Sequence, residues 1–221
     1  MTNDRRQRRD LTIDEVVERA LEIAQHEGER GLTMRAVADA CGVTPMALYH
    51  HVENKESLLT AIVDRVVADA LADLDPAGPW RTELVDFLCR WRAGLLAHPT
   101  AAQVYVRRPV LSPTLARCTE ALFETFARGG LDGGQIAAAT DAVVLLTMGS
   151  VANDLTRPPE VRDALTQQLP SNSTPLLVDN IDDYSRRDPE VRFRSAVDWL
   201  LDGMLASESS VTRTTGRAAP G

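Results

Sequence analysis

Lysine is almost absent from this chain: Lys55 is the only one among 221 residues. Positive charge rests on arginine, and acids still outnumber bases, leaving a formal net charge of −8. A protein that coats nucleic acid indiscriminately is usually basic, so that class is disfavoured. Cysteine is scarce as well. Cys41, Cys89 and Cys118 are widely spaced with no Cys-x-x-Cys pair, which fits neither a disulfide framework nor a zinc site. Buried free thiols fit better. The four histidines include no His-Glu-x-x-His pair, and there is no Gly-x-Ser-x-Gly elbow or phosphate-cradling glycine loop, so neither an enzyme nor a metal site nor a cofactor is expected. No window holds the roughly 18 to 20 uninterrupted apolar residues of a membrane span. The first ten residues, MTNDRRQRRD, lack the apolar core of a secretory signal, and a cytoplasmic location is expected. Strand-like alternation of any length is missing too.

Helical periodicity is what remains, in a chain 44% hydrophobic and 25% charged, an ordinary balance for a folded globular protein. Leu11-Thr12-Ile13-Asp14-Glu15-Val16 reads as a capping box with a hydrophobic staple. The helix it opens carries Val17, Ala20, Leu21 and Ala24 on one face and ends at Gly28 and Gly31. Asn54 caps a long helix with Leu58, Leu59, Ile62, Val66, Ala70 and Leu74 in line, stopped by Asp75-Pro76-Ala77-Gly78-Pro79. Further helices are expected over 80–97, about 101–106, from Pro113 to Gly129, over 135–155 and from Pro189 to about Leu205. The 135–155 helix is apolar nearly all round, which requires burial on more than one side. With Asp141 inside, it reads as core plus interface rather than membrane span. Between Arg157 and Asp188 the pattern breaks into a long irregular segment with a helical turn or two near Val161 to Leu169.

Between these helices lies Thr33 to Lys55, TMRAVADACGVTPMALYHHVENK. Thr33 can cap a short helix bearing Val37, Ala38 and Cys41. Gly42 suits a left-handed stop, and Thr44 can cap a second helix with Pro45 in its first turn. Val43, Leu48 and Val52 anchor that helix inward, leaving Thr44, Pro45, Met46, Ala47, Tyr49 and His50 outward. Helix, glycine turn, helix is the helix-turn-helix pattern, whose second helix enters a DNA major groove. The negative net charge conflicts with this unless positive charge is local. Arg5, Arg6, Arg8 and Arg9 form a basic arm, and Arg35 and Lys55 flank the motif.

Candidate contacts divide into positioning and reading. The Tyr49 hydroxyl and the Lys55 ammonium suit phosphates, as do the caps at Thr33 and Thr44. Arg35 is the leading base reader, because a guanidinium grips the O6 and N7 edge of guanine bidentately. Pro45, Met46 and Ala47 offer apolar contact to thymine methyls, and His50 can face a base or a phosphate. His51 is expected to support the motif's core.

The segments Gly31 to Ala38, Cys41-Gly42-Val43, Leu48 to Val52 and Asn54 to Leu59 resemble the TetR family of transcriptional regulators. A looser likeness to tetracycline-repressor-type regulatory domains rests on Trp91 to His98, Arg108-Pro109, Phe193 and Leu200-Leu201-Asp202-Gly203. The resemblance implies an all-α fold in which an N-terminal three-helix DNA-binding domain precedes a helical ligand-binding and dimerisation domain. The implied division is a disordered basic arm (1–10), the helix-turn-helix domain (11–57), the regulatory domain (58–206) and a disordered tail (207–221). It further implies a homodimer through the 135–155 and 190–205 helices, a double-stranded operator, a small-molecule effector and no membrane. Phe87, Trp91, Tyr105, Cys118 and Leu122 lie on helices that enclose the pocket in relatives, or else simply fill the core. Tetracycline repressors hold a magnesium-bound drug through a histidine. Tyr105 stands where that histidine is expected, and the polar drug contacts fall at about Leu71 and Phe87. A repressor released by an apolar or aromatic ligand is therefore the leading reading. The alternative is a helical dimer acting through a protein or small-molecule partner, its DNA motif vestigial.

Overall fold

The computed structural model describes residues 11–107, 110–156, 174–181, 183 and 187–215, with side chains to Ala206. The basic arm, Arg108-Pro109, the turns expected near Val161 to Leu169 and residues 216–221 lie outside the described residues. Ten helices make up the regular structure among those described: α1 (Ile13–Gly31), α2 (Met34–Cys41), α3 (Pro45–Tyr49), α4 (Lys55–Leu71), α5 (Trp80–Ala97), α6 (Pro99–Arg107), α7 (Pro113–Arg128), α8 (Gly133–Thr156), α9 (Pro175–Asp179) and α10 (Pro189–Thr215).

Local capping chemistry sets most helix starts. Thr12 and Glu15 complete the reciprocal capping box, and Thr33, Thr44, Asn54 and Ser112 each accept from a backbone N–H three residues on. α1 is kinked by Gly28, at φ 64° and ψ −168°, and resumes as far as Gly31 instead of stopping there. Val16, Val17, Ala20, Leu32, Val37, Ala38, Leu48 and Val52 close the small core of α1 to α3. His51 is exposed and takes no part in that core, contrary to its expected role. α3 ends at Tyr49, so the side chain of His51 has left the inward helical face.

α4 joins the two parts of the molecule. Leu58, Leu59, Ile62, Val63, Val66, Val67 and Ala70 are all buried, because α4 packs on α1 at one end and on α5, α6 and α7 further along. At the crossing with α5, a Cβ on Gly94 would come 3.0 Å from Val66; glycine permits the close approach. α4 stops at Leu71, short of the expected Leu74. The chain turns there because Asp75 donates its N–H to Glu83 and accepts from Ala77. α6 begins at Pro99 rather than Ala101, proline being tolerated in a first helical turn. α10 is helical as far as Thr215, past its expected end near Leu205. Serine and threonine are weak helix formers but no stop signal, and the first glycine past that stretch is Gly216.

α5 is the central helix, touching α4, α6, α7, α8 and α10. Trp91, Phe87, Phe126 and Phe193 are the largest side chains of the core. A buried polar knot crosses it: Arg92 donates to Ser150 at 2.9 Å and pairs with Asp154, which also accepts from Arg192 at 2.6 Å. α8 has the length and composition of a membrane-crossing helix. It packs Ala139, Val143 and Val151 into the core, together with Thr140 and Thr147, while Leu145 is 71% exposed.

Candidate nucleic-acid interface and effector cavity

The outward face of the helix-turn-helix motif is built as its caps require. Gly42 sits at φ 68° and ψ 27° and donates its N–H to Ala38 and Asp39, turning the chain so that α3 crosses α2. Leu48 is fully buried and holds α3 down, while Met46 is 72% and Tyr49 47% exposed. Thr44, Pro45 and His50 are exposed beside them, and Ala47 is half-buried. The Arg35 side chain is 87% exposed, with Asp39 as a distant ion partner at 3.9 Å; such a pair is weak and screened by salt. Thr33 and Thr44 use acceptor capacity for capping and keep their O–H donors. Lys55 is more constrained than its sequence suggests. Its ammonium donates to the Glu29 carbonyl at 3.0 Å, tying the start of α4 to the end of α1, with two N–H donors left over. Glu29 also pairs through its carboxylate with Arg107 on α6, at 3.0 Å. Sequence reasoning misses this junction because its members are far apart in the chain.

The regulatory part brings four of the five expected effector residues together at one cavity and its edge. Leu71, Leu74, Leu84, Phe87, Cys118, Ala121, Leu122 and Thr125 line a narrow crevice with no room for a water molecule. Phe87 stacks on Trp91, with ring centroids 6.1 Å apart and planes at 20°. Trp91 meets the edge of Tyr105 at 5.7 Å and 76°, which brings in the fifth. Leu71 is a cavity wall and offers no polar contact. The lining does not fit magnesium, which demands several hard oxygen ligands: it supplies no carboxylate or imidazole, and its one hydroxyl is that of Thr125.

Burial keeps the polar atoms here neutral. It pushes the Cys118 thiol up to about 11 and raises the Tyr105 phenol, with Cys118 adding in the same direction. In the unfolded chain a thiol ionises near 8.5. Between about pH 9 and 11 the folded state therefore holds a proton that the unfolded state has released, so stability is intact below that window and falls as pH rises through it. The Cys118 share is expected to approach about 2–3 kcal/mol at the top of the window. Denaturant titrations of the wild type and Cys118→Ala at pH 8 and pH 11 check this. Equal alkaline losses in the two proteins would show that Cys118 contributes nothing.

A tetracycline-repressor-like C-terminal domain matches residues 73–207, and the family of bacterial regulatory proteins, tetR family, matches residues 11–62. An HTH-type transcriptional regulator of Saccharopolyspora erythraea is 29% identical over 203 residues, covering 89% of this chain and 86% of its own length. The class A tetracycline repressor of Escherichia coli is 25% identical over 210 residues, 93% of this chain and 96% of its own. Among solved structures, the Streptomyces coelicolor TetR family protein ActR in complex with actinorhodin superposes with a TM-score of 0.75 at 25% identity, covering 89% of this chain and 96% of that one. With a motif face exposed for DNA at one end and a tetracycline-repressor-like helical domain at the other, the chain belongs to the TetR family and is a ligand-responsive, DNA-binding transcriptional regulator.

Proposed function

We propose that the chain is a cytoplasmic, homodimeric repressor that leaves a pseudo-palindromic operator when a small apolar or aromatic molecule enters the α4–α5–α7 cavity. The observation that carries this is the double role of α4. Its first residue, Lys55, is fastened beside the DNA-facing motif, and its last, Leu71, lines the cavity together with Leu74 just beyond. Arg90 of α5 also grips the final turn, donating to the Ala70 carbonyl at 3.1 Å. The crevice has no room even for a water molecule, so an occupant must part its walls, and the wall formed by Leu71 and Leu74 moves α4. A ligand acts this way only if it binds the displaced conformer more tightly. ActR holding actinorhodin is a precedent in the same fold.

Dimerisation is supported by the second faces of α8 and α10. Leu145 is 71% and Trp199 72% exposed in the single chain, apolar surface that one protomer leaves uncovered. Two copies related by a two-fold axis would present α3 to successive major grooves about 34 Å apart. Selection of binding sites from random DNA tests the reading. An inverted repeat is expected, and recovery of no enriched sequence at low salt would favour a helical dimer acting through another partner.

A further inference from the structure

A polar groove runs between α5 and the start of α10. Asp86, Cys89, Arg90 and Ala93, spaced i, i+3, i+4 and i+7 along α5, line it together with Glu190 and Arg194 of α10, and it holds about 280 Å³ of water-accessible space. The apolar crevice, by contrast, has no room for water and takes Leu84 and Phe87 from a different face of α5.

The charges around this groove are only partly matched. Arg194 pairs with Asp86 at 2.9 Å, and Arg92, which also borders the groove, is answered by Asp154. Arg90 and Glu190 are left. Arg90 spends its Nε on the Ala70 carbonyl, and its buried Nη2 has no hydrogen-bond partner among the described residues. No carboxylate among those residues pairs with it. Glu190 is exposed on the first turn of α10 and acts on Arg194 and Cys89 only through space. An unmatched cation on α5 thus shares one groove with an unmatched anion on α10. Dimerisation leaves the groove open. Glu190, Arg194, Asp198 and Asp202 form a row at i+4 spacing turned toward α5, where Asp198 and Asp202 bind Arg81. Trp199, on the face proposed for the partner, lies five residues from Arg194, about 140° round the helix.

We propose that this groove is a second small-molecule site, which takes a zwitterion whose carboxylate meets Arg90 and whose ammonium meets Glu190. A plain anion faces Asp86 and Glu190, and a plain cation faces Arg90 and Arg194. Only a molecule bearing both charges complements both walls. Because Arg90 also holds the Ala70 carbonyl, the occupant sits one side chain from the final turn of α4. The site is independent of whether the apolar crevice admits the effector.

Glycine, β-alanine and 4-aminobutyrate serve as probes on the full chain, spanning three charge separations. Their controls are the matching carboxylates (acetate, propionate, butyrate) and the matching methyl-, ethyl- and propylammonium ions. In ¹⁵N-labelled protein the best-fitting zwitterion is expected to shift backbone amides at 86–94 and 189–195 and to leave 115–125 unmoved. It should bind about fivefold more tightly than either of its controls at low salt, the worth of one partly exposed ion pair, and added salt should erase the difference. Glu190→Gln, at an exposed position, should make the zwitterion and its carboxylate control equal. Arg90→Gln, which keeps a donor for the Ala70 carbonyl, should make the zwitterion and its amine control equal. Failure of all three zwitterions to shift the groove amides, equal binding of each zwitterion and its controls, or a preference that survives both substitutions overturns the proposal.

Discussion

Replacing Arg35 by alanine is expected to weaken operator binding by about 2–6 kcal/mol, roughly 30-fold to 20,000-fold in Kd. The figure combines two half-sites, each losing the roughly 1–3 kcal/mol of one bidentate guanine contact. The guanidinium is available for that contact: it is 87% exposed, and its ion partner, Asp39, is itself 70% exposed at 3.9 Å. For the same reason folding stability should change by less than about 0.5 kcal/mol. Arg35→Lys separates reading from attraction. It keeps the positive charge and hence the salt dependence, but loses the planar fork. Titrations against the selected site and a variant site, at two salt concentrations, distinguish these roles. A uniform weakening across sequences would make Arg35 a phosphate contact instead.

Asp154→Ala should be the most damaging single change to the fold, costing about 3–5 kcal/mol. Arg92 is 5% exposed and lies over the Phe193 ring at 5.4 Å. Deleting the carboxylate leaves that cation buried, with Arg192 beside it and the Ser150 hydroxyl as its neutral hydrogen-bond partner. A melting temperature lower by on the order of 10 °C is expected for a chain of this length, measured at fixed protein concentration because a dimer's stability depends on it. The double change Arg92→Met with Asp154→Leu should recover much of the loss, since an apolar pair of similar volume avoids desolvating two ions. A loss below about 1 kcal/mol for Asp154→Ala would mean that the ion knot is not what joins α5, α8 and α10.

Features set by neighbours in the chain are legible in the sequence itself. Thr12, Thr33, Thr44, Asn54 and Ser112 are readable as caps because each bonds only three residues along. Gly42 is readable as a left-handed stop for a similar reason: one residue's conformation settles it. Phe87, Trp91 and Tyr105 are named as candidates through the resemblance, but their mutual stacking depends on how α5 and α6 cross. Arg92, Asp154 and Arg192 carry no signal, since arginine and aspartate on a helix ordinarily face water and only the packing of three helices brings these together. The early end of α4 and the late end of α10 depart from the sequence pattern in opposite directions. A side-chain contact from Glu83 organises the first, while weak formers without a breaker permit the second.

The bond between Lys55 and the Glu29 carbonyl also makes the molecule chemically addressable. Across these 221 residues, acetylation, biotinylation or any other amine-directed chemistry has a single side-chain target. That ε-amine reacts freely only when it is released from the carbonyl. The extent of labelling at Lys55 is therefore a built-in gauge of the junction where α1, α4 and α6 meet.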